Sequence, residues 1–98
     1  MQKSKKTPSL DLSTGWEQLL QVLKQAKSKA DLNQLLEFLL TGQEREQISK
    51  RVLLVNRLLY TELSQRAIAK ELRLSLVTVT RCSNLLKNTD AKMKRRFS

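Results

Sequence analysis

Histidine is absent from this 98-residue chain, and cysteine and proline occur once each, at Cys82 and Pro8. A lone cysteine excludes an intrachain disulfide, and without histidine there is no Cys/His set for zinc, so no metal site is expected. The same shortage argues against an enzyme. One inward-facing cysteine and no clustered carboxylates leave nothing to perform acid–base or nucleophilic work. Two glycines and one proline supply little turn chemistry for a multi-stranded sheet, and the aromatics are limited to Trp16, Phe38, Tyr60 and Phe97. No run approaches the roughly 18 apolar residues that a membrane span needs. The basic start, Met1-Gln2-Lys3-Ser4-Lys5-Lys6, is not followed by the apolar stretch of a secretory signal. These absences lead us to expect an all-α protein that is cytoplasmic, without a membrane partner or resident cofactor.

What is plentiful is leucine and positive charge. The net charge is +10, and it is unevenly placed. From Leu63 onward nine lysines and arginines face only Glu71 and Asp90, whereas the first 62 residues carry ten basic against seven acidic side chains. A basic half implies a polyanionic partner, such as nucleic acid or an anionic surface, although excess charge also serves solubility. So much aliphatic surface on so short a chain suggests a core shared between subunits, because small monomers bury little.

Residues 1–13 are polar, basic and interrupted by Pro8, which predicts a flexible N-terminal arm. Residues 14–98 are expected to form one helical domain. Thr14-Gly15-Trp16-Glu17 fits a capping box. Trp16, Leu19, Leu20 and Leu23 then follow at the spacing of one helical face, with Lys24, Lys27 and Lys29 in the last turns. Asp31 is expected to cap a second helix carrying Leu32, Leu35, Leu36, Leu39 and Leu40. Thr41-Gly42-Gln43-Glu44, a second capping box, opens a third over Gly42 to Tyr60. There Ile48, Val52, Val55 and Leu59 form a stripe that Leu54 and Leu58 widen. An arc that broad fits burial on several sides, as in the spine of a homodimer; the centre of a monomeric bundle is the other arrangement it admits. The pattern breaks at Thr61 to Leu63, Ser64 offers the next cap, and Lys92 to Phe97 close the chain as a short basic helix or frayed tail.

Gln65 to Asn84, QRAIAKELRLSLVTVTRCSN, satisfies the requirements of a helix-turn-helix. Ile68 and Leu72 supply the inner face of the first helix, and Ala69 the small residue at the crossing. Leu74 tucks under the turn, Ser75 caps the second helix, and Val79 and Cys82 point inward. The alternation in Leu74 to Cys82 would also suit a strand, but the chain offers no strand to pair with it. Outward on the second helix stand Thr78, Thr80, Ser83 and Asn84, with Leu76 and Val77 at its start. Hydroxyls and amides can reach base edges in the major groove, and aliphatics can meet thymine methyls. Gln65 and Arg66 open the first helix, where side chains and backbone N–H groups can hold phosphates. Arg73 occupies the turn position usually given to glycine, at a cost on the order of 1 kcal/mol, and adds a charge near DNA.

Leu39-Leu40-Thr41-x-x-Glu44-Arg45-Glu46, Arg51-Val52, Ser64-Gln65-Arg66, Glu71-Leu72 and Thr78-Val79-Thr80-Arg81-x-Ser83-Asn84-x-x-Lys87 together resemble the tryptophan repressor family, in order and without a gap. The resemblance implies five to six helices in an interlocked homodimer, with a reading head over residues 64–87 that binds double-stranded operator DNA. The DNA-contacting set becomes Gln65, Arg66, Lys70, Arg73, Leu76, Val77, Thr78, Thr80, Ser83, Asn84 and Lys87. Ala69 replaces a phosphate-contacting lysine, which Lys70 or Arg73 can offset. The resemblance also implies L-tryptophan as corepressor. Arg51 and Arg81 would sandwich its indole, a use for which guanidinium planes are suited, and Arg81 would pair with its carboxylate. Val55 and Cys82 would flank it, and Phe38, Leu40 and Thr41 would come from the other subunit. Two positions depart from the family: Cys82 stands in place of glycine beside the ligand, and Leu85 in place of a serine near its amino group. The leading expectation is a tryptophan-controlled transcriptional repressor. The alternatives are a constitutive, effector-independent DNA-binding protein on the same scaffold and a non-regulatory interaction or RNA-binding module.

Overall fold

The computed structural model describes residues 10–98 and contains six helices among them: α1 (Leu12–Lys24), α2 (Lys29–Leu39), α3 (Gly42–Tyr60), α4 (Gln65–Leu72), α5 (Leu76–Lys87) and α6 (Ala91–Arg95). No strand occurs among the described residues, in keeping with the all-α expectation. Most of the expected basic arm, residues 1–9, lies outside them.

Two helix starts differ from the sequence reading. Helix α1 begins at Leu12 because Asp11, not Thr14, caps it: the Asp11 carboxylate accepts from the Thr14 N–H at 3.2 Å and from the Thr14 hydroxyl at 2.6 Å. A carboxylate satisfies the orphan N–H while also accepting from the Thr14 hydroxyl and, at 2.7 Å, from the Ser13 hydroxyl, which a threonine cap cannot do. Helix α2 is capped by Ser28, whose Oγ accepts from the Asp31 N–H at 3.0 Å, while Asp31 reaches back to the Lys27 N–H at 3.0 Å. Asp31 is therefore the acidic partner three residues into the cap. Lys27 falls between the helices and Lys29 opens α2, so of the three lysines only Lys24 stands in the last turn of α1. Leu40 lies just beyond α2 with an extended backbone. Helix α3 has the expected bounds.

The chain divides into two compact units, one ending at Thr41 and one spanning Gly42–Ser98. In the first, α1 and α2 pack on each other with Leu19, Leu23, Leu35 and Leu36 half-buried, and neither helix buries a residue completely. In the second, Leu54 and Val55 of α3, Ile68, Ala69 and Leu72 of α4, and Val79, Cys82 and Leu86 of α5 make one core. Leu54, Ile68 and Val79 are fully enclosed, one from each helix. Each contributes about 1.5–3 kcal/mol by leaving water. Leu58, Leu59, Leu74 and Phe97 pack on the periphery. Helix α6 is tied down by the Tyr60 hydroxyl donating to the Lys94 carbonyl at 3.0 Å and the Asn56 amide donating to the Phe97 carbonyl at 2.8 Å. Ile48, Val52 and Leu53, in contrast, leave an apolar stripe of α3 exposed.

Candidate nucleic-acid interface

Helices α4 and α5 hold the arrangement required of a reading head, and each junction has a local cause. The Ser64 hydroxyl accepts from the Ala67 N–H and the Ser75 hydroxyl from the Thr78 N–H, both at 3.1 Å, so each helix starts at a serine cap. Between them Arg73 adopts φ 56° and ψ 48°, the left-handed region. Its N–H donates to the Lys70 carbonyl at 3.4 Å, and the next N–H, of Leu74, donates to the Ala69 carbonyl at 2.9 Å. That pair of bonds closes a Schellman turn on a non-glycine residue. Leu74 then folds back against the core. Ile68, Ala69, Leu72, Val79 and Cys82 are all buried, as the motif demands.

The opposite face is polar and basic. Arg66, Lys70, Arg73, Arg81 and Lys87 are exposed, as are Thr80 and Asn84. Leu76 and Val77 stand 39% and 59% exposed at the start of α5. Gln65 and Ser83 are half-buried, and Gln65 accepts a 2.9 Å hydrogen bond from the Thr80 hydroxyl. Thr78 is also half-buried: it shares a 2.8 Å hydroxyl contact with Ser75 and turns toward the clefts described below. Glu71, the one acid between Ser64 and Lys87, is engaged by Arg57 of α3 through contacts at 3.3 Å. The same guanidinium donates to Asn56 Oδ1 at 2.9 Å, so a polar chain runs from α4 through α3 to the C-terminal segment. It neutralises the only negative charge of the head and braces α4. The sequence holds no local signal for this tether.

Two clefts border the head. One of about 350 Å³ is lined by Gln47, Lys50, Arg51, Leu54, Arg73, Leu74 and Thr78. The other, about 260 Å³, gathers Arg51, Thr78, Arg81, Cys82 and Leu85. These volumes lie near the lower end of those that hold small ligands, roughly 300 Å³ and above. Arg51, Arg81 and Cys82 thus meet around one cavity. Val55 does not join them; it lies in the core and lines neither cleft. Phe38, Leu40 and Thr41 belong to the other unit of the chain, with Phe38 86% exposed. Burial pushes the Cys82 thiol above its ordinary pKa, and the Arg51 charge opposes this more weakly, so the group is a neutral thiol at neutral pH.

Among the described residues no helix is long and apolar enough to cross a membrane. The family model described as Trp repressor protein matches residues 14–98. A Trp operon repressor homolog of Vibrio cholerae is 44% identical over 73 residues, which cover 74% of this chain and 71% of that protein. One from Vibrio vulnificus is 38% identical over 85 residues, covering 87% and 83% respectively. One from Chlamydia caviae is 36% identical over 80 residues, covering 82% and 79%. A family model that spans the capped helices, the helix-turn-helix and the basic C-terminal segment together leaves one conclusion: this chain belongs to the Trp repressor protein family.

Proposed function

We propose that the chain is a homodimeric, sequence-specific DNA-binding repressor of transcription that uses L-tryptophan as corepressor. The observation that carries this reading is the serine-capped α4–α5 pair. Its core is buried on one side, and on the other it presents hydroxyls, an amide, aliphatics and the four cations Arg66, Lys70, Arg73 and Lys87. Cations and helix N-termini hold phosphates, and the short polar side chains of α5 suit base edges. Dimerisation is supported by the exposed Ile48, Val52 and Leu53 and by two N-terminal helices that bury nothing completely. Apolar area of that kind calls for a partner surface, and residues 14–98 would then form one dimerisation and DNA-binding domain behind the N-terminal arm.

Sedimentation should give a mass near twice that of the chain, and a folded monomer at micromolar concentration would contradict the reading. With roughly 6–10 phosphates contacted per dimer, affinity for duplex DNA should fall about 10³–10⁵-fold between 50 and 200 mM salt. Thr80→Ala should weaken specific sites more than random DNA, whereas loss of Lys87 should weaken both alike. An unchanged specificity ratio in Thr80→Ala would mean that α5 is not the recognition helix.

The tryptophan reading draws on Arg51 and Arg81 lining one cleft. Cys82 and Leu85 line it too, and they favour a second reading: a DNA-binding protein that works without an effector. Added side-chain atoms in a filled pocket typically cost about 1–3 kcal/mol. Calorimetry with L-tryptophan separates the two. Ligand control predicts heat that Arg51→Ala removes and Cys82→Gly strengthens; no heat in wild type or Cys82→Gly supports the effector-independent protein.

A further inference from the structure

Thr80 and Gln65 sit on different helices, fifteen residues apart in sequence, yet the Thr80 Oγ1 lies 2.9 Å from Gln65 Oε1 and donates its proton there. A hydroxyl has one proton and two lone pairs. A free threonine can therefore face either a donor or an acceptor on a base, which makes it a poor discriminator. With its proton committed to Gln65, Thr80 has only lone pairs left for the groove. In the major groove adenine N6 and cytosine N4 are donors, while guanine and thymine offer acceptors at O6, N7 and O4. We infer that Gln65 is a specificity-determining positioning residue: by holding the Thr80 proton it makes Thr80 an acceptor-only reader that selects adenine or cytosine on the strand it faces.

The two ends of the Gln65 amide explain why the hydrogen bond keeps this direction on DNA. Gln65 is the first residue of α4, at the helix end where a phosphate is expected. Its Nε2 carries two N–H donors, and a phosphate attracts them. The opposite end, Oε1, then faces Thr80. Flipping the amide would set its carbonyl oxygen against the phosphate, and would present an N–H to Thr80 and release the hydroxyl proton. A phosphate contact and a base preference are thus coupled through a single side chain. Arg66, the neighbouring cation, has no such second end, because a guanidinium only donates.

This inference rests on the reading of α5 as the recognition helix, and the test separates the two. The full chain is used to select sites from a randomised duplex pool, as wild type, Thr80→Val, Gln65→Ala and Gln65→Glu, with helicity checked by circular dichroism. Thr80→Val identifies the position that Thr80 reads. Duplexes carrying each of the four bases there are then titrated by fluorescence anisotropy. Wild type should favour adenine or cytosine over guanine or thymine by roughly tenfold or more, because an acceptor facing an acceptor leaves both unsatisfied. Gln65→Ala frees the hydroxyl and should narrow that ratio to about threefold or less. Gln65→Glu, whose carboxylate still accepts the proton, should keep the wild-type ratio even where its charge lowers overall affinity. The inference is overturned if Gln65→Ala keeps the wild-type ratio, or if the Thr80-dependent position favours guanine or thymine. If no position responds to Thr80→Val, the assignment of α5 falls with it, and a wild-type chain without any site preference refutes the proposed function itself.

Discussion

Arg73 is the single non-glycine residue with a positive φ among the described residues, and replacing it separates two effects that the native side chain combines. A left-handed backbone costs a residue with a Cβ about 1–2 kcal/mol. Glycine avoids that cost but frees the unfolded chain, which returns about 0.4–1 kcal/mol. The Schellman bonds of Arg73 and Leu74 are backbone bonds and survive the exchange. Arg73→Gly should therefore stabilise the fold by about 0.5–1 kcal/mol per chain and raise the melting temperature by a few degrees. The same change deletes a cation that faces the Lys50–Arg51 cleft and the proposed DNA surface. If Arg73 holds one phosphate, the slope of log affinity against log salt should become shallower by about 0.9 for each head. Thermal melts followed by circular dichroism read the first effect, and anisotropy on duplex DNA between 50 and 200 mM salt reads the second. Arg73→Lys, which keeps both the charge and the Cβ, should move neither by much. A lower melting temperature for Arg73→Gly would refute the strain argument. An unchanged salt slope would remove Arg73 from the phosphate contacts.

Ile68 is fully enclosed where α3, α4 and α5 meet, so Ile68→Ala should cost about 2–5 kcal/mol in urea unfolding and Ile68→Val about 0.5–1.5 kcal/mol; near-neutral values for both would mean that this contact does not hold the head together. The Cys82 thiol is 3% exposed and shifted upward by burial, so native protein at pH 8 should react with iodoacetamide far more slowly than urea-unfolded protein; equal rates would contradict the burial. Hydrogen bonds from the Thr14 hydroxyl, the Ser13 hydroxyl and the Thr14 N–H lower the Asp11 carboxyl from 3.8 to about 2. A lowered carboxyl stabilises the fold above its unfolded pKa and loses that contribution as pH falls through the folded one, so the start of α1 should hold at pH 4 and fray toward pH 2. A carboxyl carbon titration of Asp11 with its midpoint near 4 would show the cap to be absent.

Local chemistry by itself determined most of the helix-turn-helix. Ile68, Ala69, Leu72, Leu74, Val79 and Cys82 fall where a helix-turn-helix needs apolar or small residues, and Ser64 and Ser75 act within three positions of themselves. Such features are legible because helical periodicity and capping depend on near neighbours in the chain. The same locality misleads where two caps compete within a few residues. Asp11 with Thr14, and Ser28 with Asp31, both offer acceptors, and the sequence pattern does not say which one engages the orphan N–H groups. What the tertiary structure alone decided is how helix faces meet. Val55 turns into the core rather than to a cleft, Thr78 faces the clefts, and Arg51, Arg81 and Cys82 converge on one cavity. Arg57 finds Glu71 fourteen residues away, Thr80 finds Gln65 at fifteen, and Tyr60 finds the Lys94 carbonyl at thirty-four. The first two pairings depend on the rotation and approach of one helix against another, set in the core that Leu54, Ile68 and Val79 share, and the third on how the C-terminal segment, through Phe97, packs on that core. No residue's spacing along its own helix encodes that rotation, because it is a property of the packed core.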